Sequence, residues 1–208
     1  MSSHHVVRDQ QEPALLIVDP EAINGEILKG LLEWNPTVIV TEDSWPEIND
    51  AGIKADAILL QSPYLSDTFR SELSRQSPVK ILRYSSDNPA IVVALNSLIT
   101  QNYLSVNIVA TESTQNDLKP ALSPFLHQLH ITFYFQKFKS YFVASGKFEK
   151  WARKKQQFLI PDWHASKKIQ SQGLTQNQQA SQPVFIAVDH GKIIIDTYHH
   201  PFWLTEEL

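Results

Sequence analysis

Four consecutive apolar residues, Ala57-Ile58-Leu59-Leu60, follow a glycine turn at Gly52 and stop abruptly at Gln61-Ser62-Pro63. A run this short, apolar at every position and bounded by breakers, has the pattern of a central strand buried on both faces. It belongs in an open α/β sheet, where ligands sit just beyond the carboxyl ends of the strands. A site would then be expected at residues 61–64. The chemistry there is mild: Gln61 hydrogen-bonds but does not ionise, Pro63 offers no N–H, and only Ser62 and Tyr64 carry hydroxyls.

The rest of the first half repeats this punctuation. Residues 14–18 read as a strand closed by Asp19-Pro20, and Ile23, Ile27, Leu28, Leu31 and Leu32 then recur at helical spacing up to Asn35-Pro36. Residues 37–40 make a second strand that reaches Glu42-Asp43, and a short helix after Pro46 leads to Gly52. Beyond the central run, residues 67–75 read as a helix and 79–83 as a strand. Residues 89–101 read as a helix capped by Asp87 or Asn88, and 106–110 as a fifth strand. Strands alternating with helices predict a Rossmann-like parallel sheet with helices on both faces, over residues 13–124.

From about residue 125 the period changes to two (Ile131, Phe133, Phe135, then Tyr141, Val143), which predicts antiparallel strands. Gly146 reads as a hairpin turn, residues 158–160 as a strand, and 184–188 with 192–195 as a hairpin about His190-Gly191. Residues 166–182, rich in Ser, Gln and Asn, read as a mobile loop. The fold class expected is therefore α/β plus all-β, with a C-terminal antiparallel, β-sandwich-like domain over residues 125–208.

With 208 residues, no cysteine and a formal charge of −4, the chain has room for a real core and no means of forming a disulfide or thiolate metal site. Nothing in that charge favours nucleic acid or a membrane surface as partner, and no apolar run is long enough to span a bilayer. Residues 1–12 lack a secretory apolar segment and are expected to be disordered, and the protein to be cytoplasmic. The adjacent pairs His4-His5 and His199-His200 point different ways along an extended chain and make poor metal sites. Phe202 and Trp203 should dock on a neighbouring element or a second subunit, since exposing them is costly. Trp151 and Trp163 flank the basic run Arg153-Lys154-Lys155. Such a set can stack on and grip a heteroaromatic phosphate, although a tryptophan lying on lysine stems gives the same pattern. There is no Ser-His-Asp order, P-loop or Rossmann glycine fingerprint.

Several segments resemble the thiamin pyrophosphokinase family. Asp43-Ser44-Trp45 stands where that family has an acidic Asp-Gly-Ala turn, and Gly52-Ile53-Lys54-Ala55-Asp56 matches its Gly-Ile-x-Pro-Asp segment. Leu60-Gln61-Ser62-Pro63-Tyr64 stands at its Gly-Asp-x-Asp-Ser, whose carboxylates hold magnesium beside ATP. Both of those aspartates are replaced here. Residues 84–95 resemble the family's Asp-x-Thr-Asp and following helix, with Asp87 on the first Asp and Pro89-Ala90 at Thr and the second. Residues 108–118 resemble Gly-Gly-Arg-x-Asp-His, with Asp117 on the Asp and the glycines, Arg and His replaced. In the 166–182 loop two alignments stand. Gly173-Leu174 begins the Gly-Leu-x-Trp segment with Gln176 at the Trp, or Leu174 to Asn177 is the Ser-x-Ser-Asn motif with only Asn177 kept.

The resemblance implies a two-domain homodimer that binds thiamin between subunits and uses magnesium and ATP if active. Pyrophosphoryl transfer needs a metal on hard oxygen ligands, and Gln and Pro do not supply them. The expected function is thus that of a divergent member, impaired in catalysis, with a ligand-binding or structural role. Asp43, Gln61, Asp87 and Asp117 are the remnants of the family positions, one aspartate at each of three strand ends. Trp151, Trp163 and Asn177 are the ligand-binding candidates. An active enzyme with a rebuilt metal site is the alternative. Residues 15–33 also resemble the start of a receiver domain, but Gln61 stands at its phosphoacceptor position.

Overall fold

The structure is a computed structural model that describes residues 12–61, 63–161, 163, 168–177 and 183–208. The expected disorder of the N-terminus, the His4-His5 pair, Ser62 and residues 166–167 and 178–182 lie outside the described residues. The described part of the expected 166–182 loop is corrected to two short strands, Gln170–Gln172 and Leu174–Asn177, paired to neighbouring strands. The chain divides into two compact units, one ending at Gln136 and the other running from Lys137 to Leu208.

In the first unit strands β1 (Ala14–Ile17), β2 (Val38–Thr41), β3 (Ala57–Leu60), β4 (Lys80–Arg83), β5 (Ser105–Val109) and β6 (His130–Phe135) alternate with helices. These are α1 (Gly25–Leu32), α2 (Trp45–Asp50), α3 (Asp67–Arg75), α4 (Ala90–Thr100) and α5 (Glu112–Leu122). The strands run parallel in the order β6-β5-β1-β2-β3-β4. Leu15, Ile17, Val38, Val40, Ile58 and Leu60 share one core with Ile27, Leu28 and Leu31 of α1, Trp45 and Ile48 of α2, and Phe69 and Leu73 of α3. The alternate positions Leu16, Ile39 and Leu59 are equally buried, and α4 packs on β3 and β4. Both faces are covered, which is why these strands read as continuous apolar runs.

The helices start where short polar side chains cap them. Asn24 accepts the Ile27 N–H at 2.9 Å, Ser66 that of Phe69 at 3.2 Å, and Thr111 that of Thr114 at 3.2 Å. Helix α4 is different: Pro89 holds its N-cap position without a side-chain bond, and Asp87 lies in a turn closed by backbone bonds between Ser85 and Asn88. Neither Asp87 nor Asn88 caps it. Trp45 is wholly buried, donates its indole N–H to Glu72 at 3.0 Å and tilts against Phe69. A buried indole needs such a partner.

The alternation at Ile131, Phe133 and Phe135 is present in β6, but that strand pairs parallel with β5 and belongs to the first unit. The antiparallel reading of this stretch is corrected accordingly. Period two reports one strongly buried face and says nothing about strand direction.

The second unit holds β7 (Phe138–Val143), β8 (Lys147–Ala152), β9 (Gln157–Leu159), β10 (Gln170–Gln172), β11 (Leu174–Asn177), β12 (Val184–Ala187), β13 (Gly191–Asp196) and β14 (Phe202–Glu207). They form two antiparallel sheets, β11-β12-β9-β14-β7 and β10-β13-β8. Two expected hairpins are therefore crossings. Strands β7 and β8 on either side of Gly146 lie in different sheets, and so do β12 and β13 on either side of Asp189-His190. Sequence neighbours part because each strand's apolar residues are buried from opposite sides of one core, which includes Val143, Phe158, Phe185, Ile193, Ile195 and Leu204.

Phe202 and Trp203 are buried in β14, Phe202 edge-on to Trp163 at 6.4 Å and Trp203 tilted against Phe142 at 5.7 Å. Beside them the Glu206 side chain, only 2% exposed, takes Lys139 at 3.1 Å and Lys150 at 2.6 Å. Tyr141 adds its hydroxyl at 3.3 Å. Lys139 faces Glu206 across β7, whereas Lys150 comes from β8 in the other sheet, so one carboxylate ties both sheets together. No helix of the described residues is long and apolar enough to cross a membrane.

Candidate functional site

The carboxyl ends of β1, β2, β3 and β4 bring Asp19, Glu42, Asp43, Gln61 and Tyr84 to one edge of the parallel sheet. The turn after β2 is pinned to the end of β1. Ser44 donates its hydroxyl to the Val18 carbonyl at 2.6 Å, and the Thr41 and Ser44 hydroxyls lie 2.7 Å apart. Thr41 also accepts the Ser44 N–H at 3.3 Å. Ser44 is buried, so these bonds fix the direction in which Glu42 and Asp43 leave the sheet.

Glu42 turns back along the edge and accepts the backbone N–H of Gln61 at 3.1 Å. Asp43 is exposed. Tyr84 continues β4, its N–H bonded to the Leu60 carbonyl at 3.1 Å. Burial chiefly, and then the charges of Asp43 and Glu42, push its phenol above the ordinary tyrosine range. The edge thus offers three carboxylates, one amide and a phenol held protonated, a set suited to hydrogen-bonding a polar ligand.

Magnesium beside a triphosphate asks for hard oxygen ligands in near-octahedral array. Glu42 already gives an oxygen to Gln61, strand β3 ends in an amide, and among the described residues no three His, Asp or Glu side chains gather closely enough to hold a metal. An all-protein magnesium cage is therefore not present among the described residues, whereas magnesium on a triphosphate asks the protein for only one or two carboxylates, which Glu42 and Asp43 would have to supply.

Of the residues singled out in the sequence, Asp43 and Gln61 share this edge. Asp87 lies in the turn after β4, exposed, between Ser85 and Asn88. Asp117 is not at a strand end: it is an exposed residue in the second turn of α5, whose N-cap is Thr111. In the second unit Trp151 stands on β8, 76% exposed and opposite Lys192. Trp163 instead packs on the core against Phe202. Asn177 ends β11, paired with Val184. Glu42 and Tyr84 were missed as site residues. The signal for Glu42 was its place beside Asp43 at a strand end, and for Tyr84 its place directly after Arg83.

No protein-family model matches the sequence, and no curated protein matches it significantly. Solved structures do match in fold. Thiamin pyrophosphokinase from Bacillus subtilis superposes with a TM-score of 0.71 at 12% identity, over 93% of this chain and 98% of its own. The yeast enzyme gives 0.68 at 10% identity, over 98% and 88%, and that of Candida albicans 0.66 at 10%, over 96% and 90%. This chain therefore has the fold of the thiamin pyrophosphokinases.

Proposed function

We propose that this chain is a thiamin pyrophosphokinase-like protein that has lost diphosphate transfer and keeps a ligand-binding role. In this reading the first unit derives from a Rossmann-like nucleotide domain, and the second, sandwich-like, from a thiamin-binding one. The protein works as a homodimer on thiamin or another small heterocycle. Exposed Trp151 is its best placed stacking residue, with Asn177 as a second contact. Trp163 is the weaker candidate because Phe202 already occupies one edge of its ring.

The observation that carries the reading is the end of β3. In the family resemblance Gln61 stands at a metal-binding carboxylate, and its N–H is bonded to the Glu42 carboxylate. Asp43, Asp87 and Asp117 are then remnants of family positions without a shared ion. One observation favours the competing reading of an active enzyme: the charges of both Glu42 and Asp43 reach Tyr84, so a metal site could have been rebuilt after β2.

Thermal stability with thiamin, ATP and magnesium, singly and together, separates the two, because a ligand of the native state raises the transition in a concentration-dependent way. A shift with thiamin alone is expected. A shift that requires ATP and magnesium together would overturn the proposal in favour of the enzyme.

A further inference from the structure

A pocket of about 370 Å³ opens in the second unit between the turn that joins β8 to β9 and the end of β14, lined by Arg153, Lys154, Lys155, Gln156, Glu207 and Leu208. Its size lies within the range of about 300–1,000 Å³ typical of small-molecule sites. Three consecutive cations line it, in a chain whose formal charge is −4.

The turn is held rather than loose. Gln156, 9% exposed, accepts the Arg153 N–H at 3.1 Å and donates its amide to the Glu207 carbonyl at 2.9 Å, which fastens the turn to β14. Lys155 has φ +67° and donates its N–H to the Ala187 carbonyl at 2.9 Å, while the Ala187 N–H returns to the Gln156 carbonyl at 3.0 Å. A lysine in the left-handed region is uncommon and persists only where its surroundings fix it.

The lining carries three cationic side chains against one acidic one. Glu207, its one acidic side chain, is taken by Lys137 at 2.6 Å, outside the lining. Lys154 reaches Asp189 only at 3.8 Å. Among the described residues neither Arg153 nor Lys155 has a carboxylate within 4.0 Å. A concave surface with an excess of one sign concentrates ions of the other, and an Arg fork beside lysines matches phosphoryl oxygens. No aromatic side chain lines the pocket, so it offers nothing on which a nucleobase would stack.

We infer that this pocket binds a small multivalent phosphate, either a free polyphosphate or the phosphoryl end of a sugar phosphate. No part of this reading rests on thiamin or ATP binding.

The test is a thermal-shift and calorimetric titration of the full chain with pyrophosphate and with ribose 5-phosphate. Sodium chloride at matched ionic strength is the control, and the R153Q/K155Q variant is run in parallel. The inference expects saturable binding of at least one probe, and which probe binds tells free polyphosphate from ester. Each lost cation should weaken it by about tenfold. Because both substitutions are at exposed positions, the variant's own transition without ligand should match the parent. No binding of either probe, a response reproduced by sodium chloride, or binding that survives in R153Q/K155Q would overturn it. None of these outcomes depends on whether thiamin or ATP binds.

Discussion

Gly146 has φ +71°, and a Cβ built on it would lie 2.7 Å from the backbone of His199. The Gly146 carbonyl also accepts both the N–H of Thr197, at 2.9 Å, and its hydroxyl, at 2.7 Å. Replacing Gly146 by Ala should therefore cost about 2 kcal/mol or more, since φ alone penalises any Cβ and the backbone across from it has little room to give. A urea midpoint that does not fall would contradict this. Two titrating groups carry pH predictions with opposite signs. Glu149 lies 2.7 Å from both Lys147 and Lys192, and these bonds hold its carboxyl at about 2, below the 4.5 of a free glutamate. Its contribution is complete above the unfolded value and is lost as pH falls from about 4.5 towards 2. NMR titration should find Glu149 returning towards the ordinary range in K147A/K192A. Tyr141 is shifted upward, by burial first and then by the Glu206 carboxylate. Its contribution is complete below the unfolded value of 10 and is lost as pH rises beyond it, so Y141F should flatten the alkaline limb of a stability curve. At this scale the sequence was readable only in part. Gln61 and Asp43 were found because strand ends are visible as breaks in apolar runs. The Glu42 bond to Gln61 and the approach of both acids to Tyr84 depend on how β2, β3 and β4 align, which no local pattern encodes.

The elements of the first unit were legible because β1, β2 and β3 are buried on both faces and each helix has a cap or a breaker at its start. Ser66→Ala, which removes the α3 cap, should cost about 1 kcal/mol without changing the fold, checked by denaturant titration. Strand partners were less legible. The alternation in β6 is real, but parallel pairing with β5 is fixed by the layer it joins, and the strands about Gly146 and about Asp189-His190 separate into different sheets. Only the shared core of the second unit reveals that. Its ionic tie between sheets is the element-scale test. Glu206→Ala would leave Lys139 and Lys150 without their common partner. Breaking a buried pair costs about 3–5 kcal/mol, and the partial exposure of both lysine side chains brings the expectation here to about 2–3 kcal/mol. A double-mutant cycle with Lys150→Met should recover part of it, and strict additivity would show that the pair is uncoupled.

As a whole molecule, the chain keeps a fold at 10–12% identity to the Bacillus subtilis, yeast and Candida albicans enzymes, because a fold is held by buried apolar positions and a reaction by a few polar ones. The buried runs of β1, β2 and β3 are present, while the change of period near residue 130 falls within the first unit, in β6. At the strand ends Gln61 follows β3 with its N–H bonded to the Glu42 carboxylate, while Asp117 lies along α5. The proposal to be tested is that the scaffold persists without diphosphate transfer. The most direct test is AMP release by the purified protein incubated with ATP, thiamin and magnesium. The account predicts no AMP above the buffer rate. AMP formation that needs thiamin and magnesium, and that disappears in E42Q/D43N, would contradict it and show that the carboxylates after β2 rebuilt the metal site.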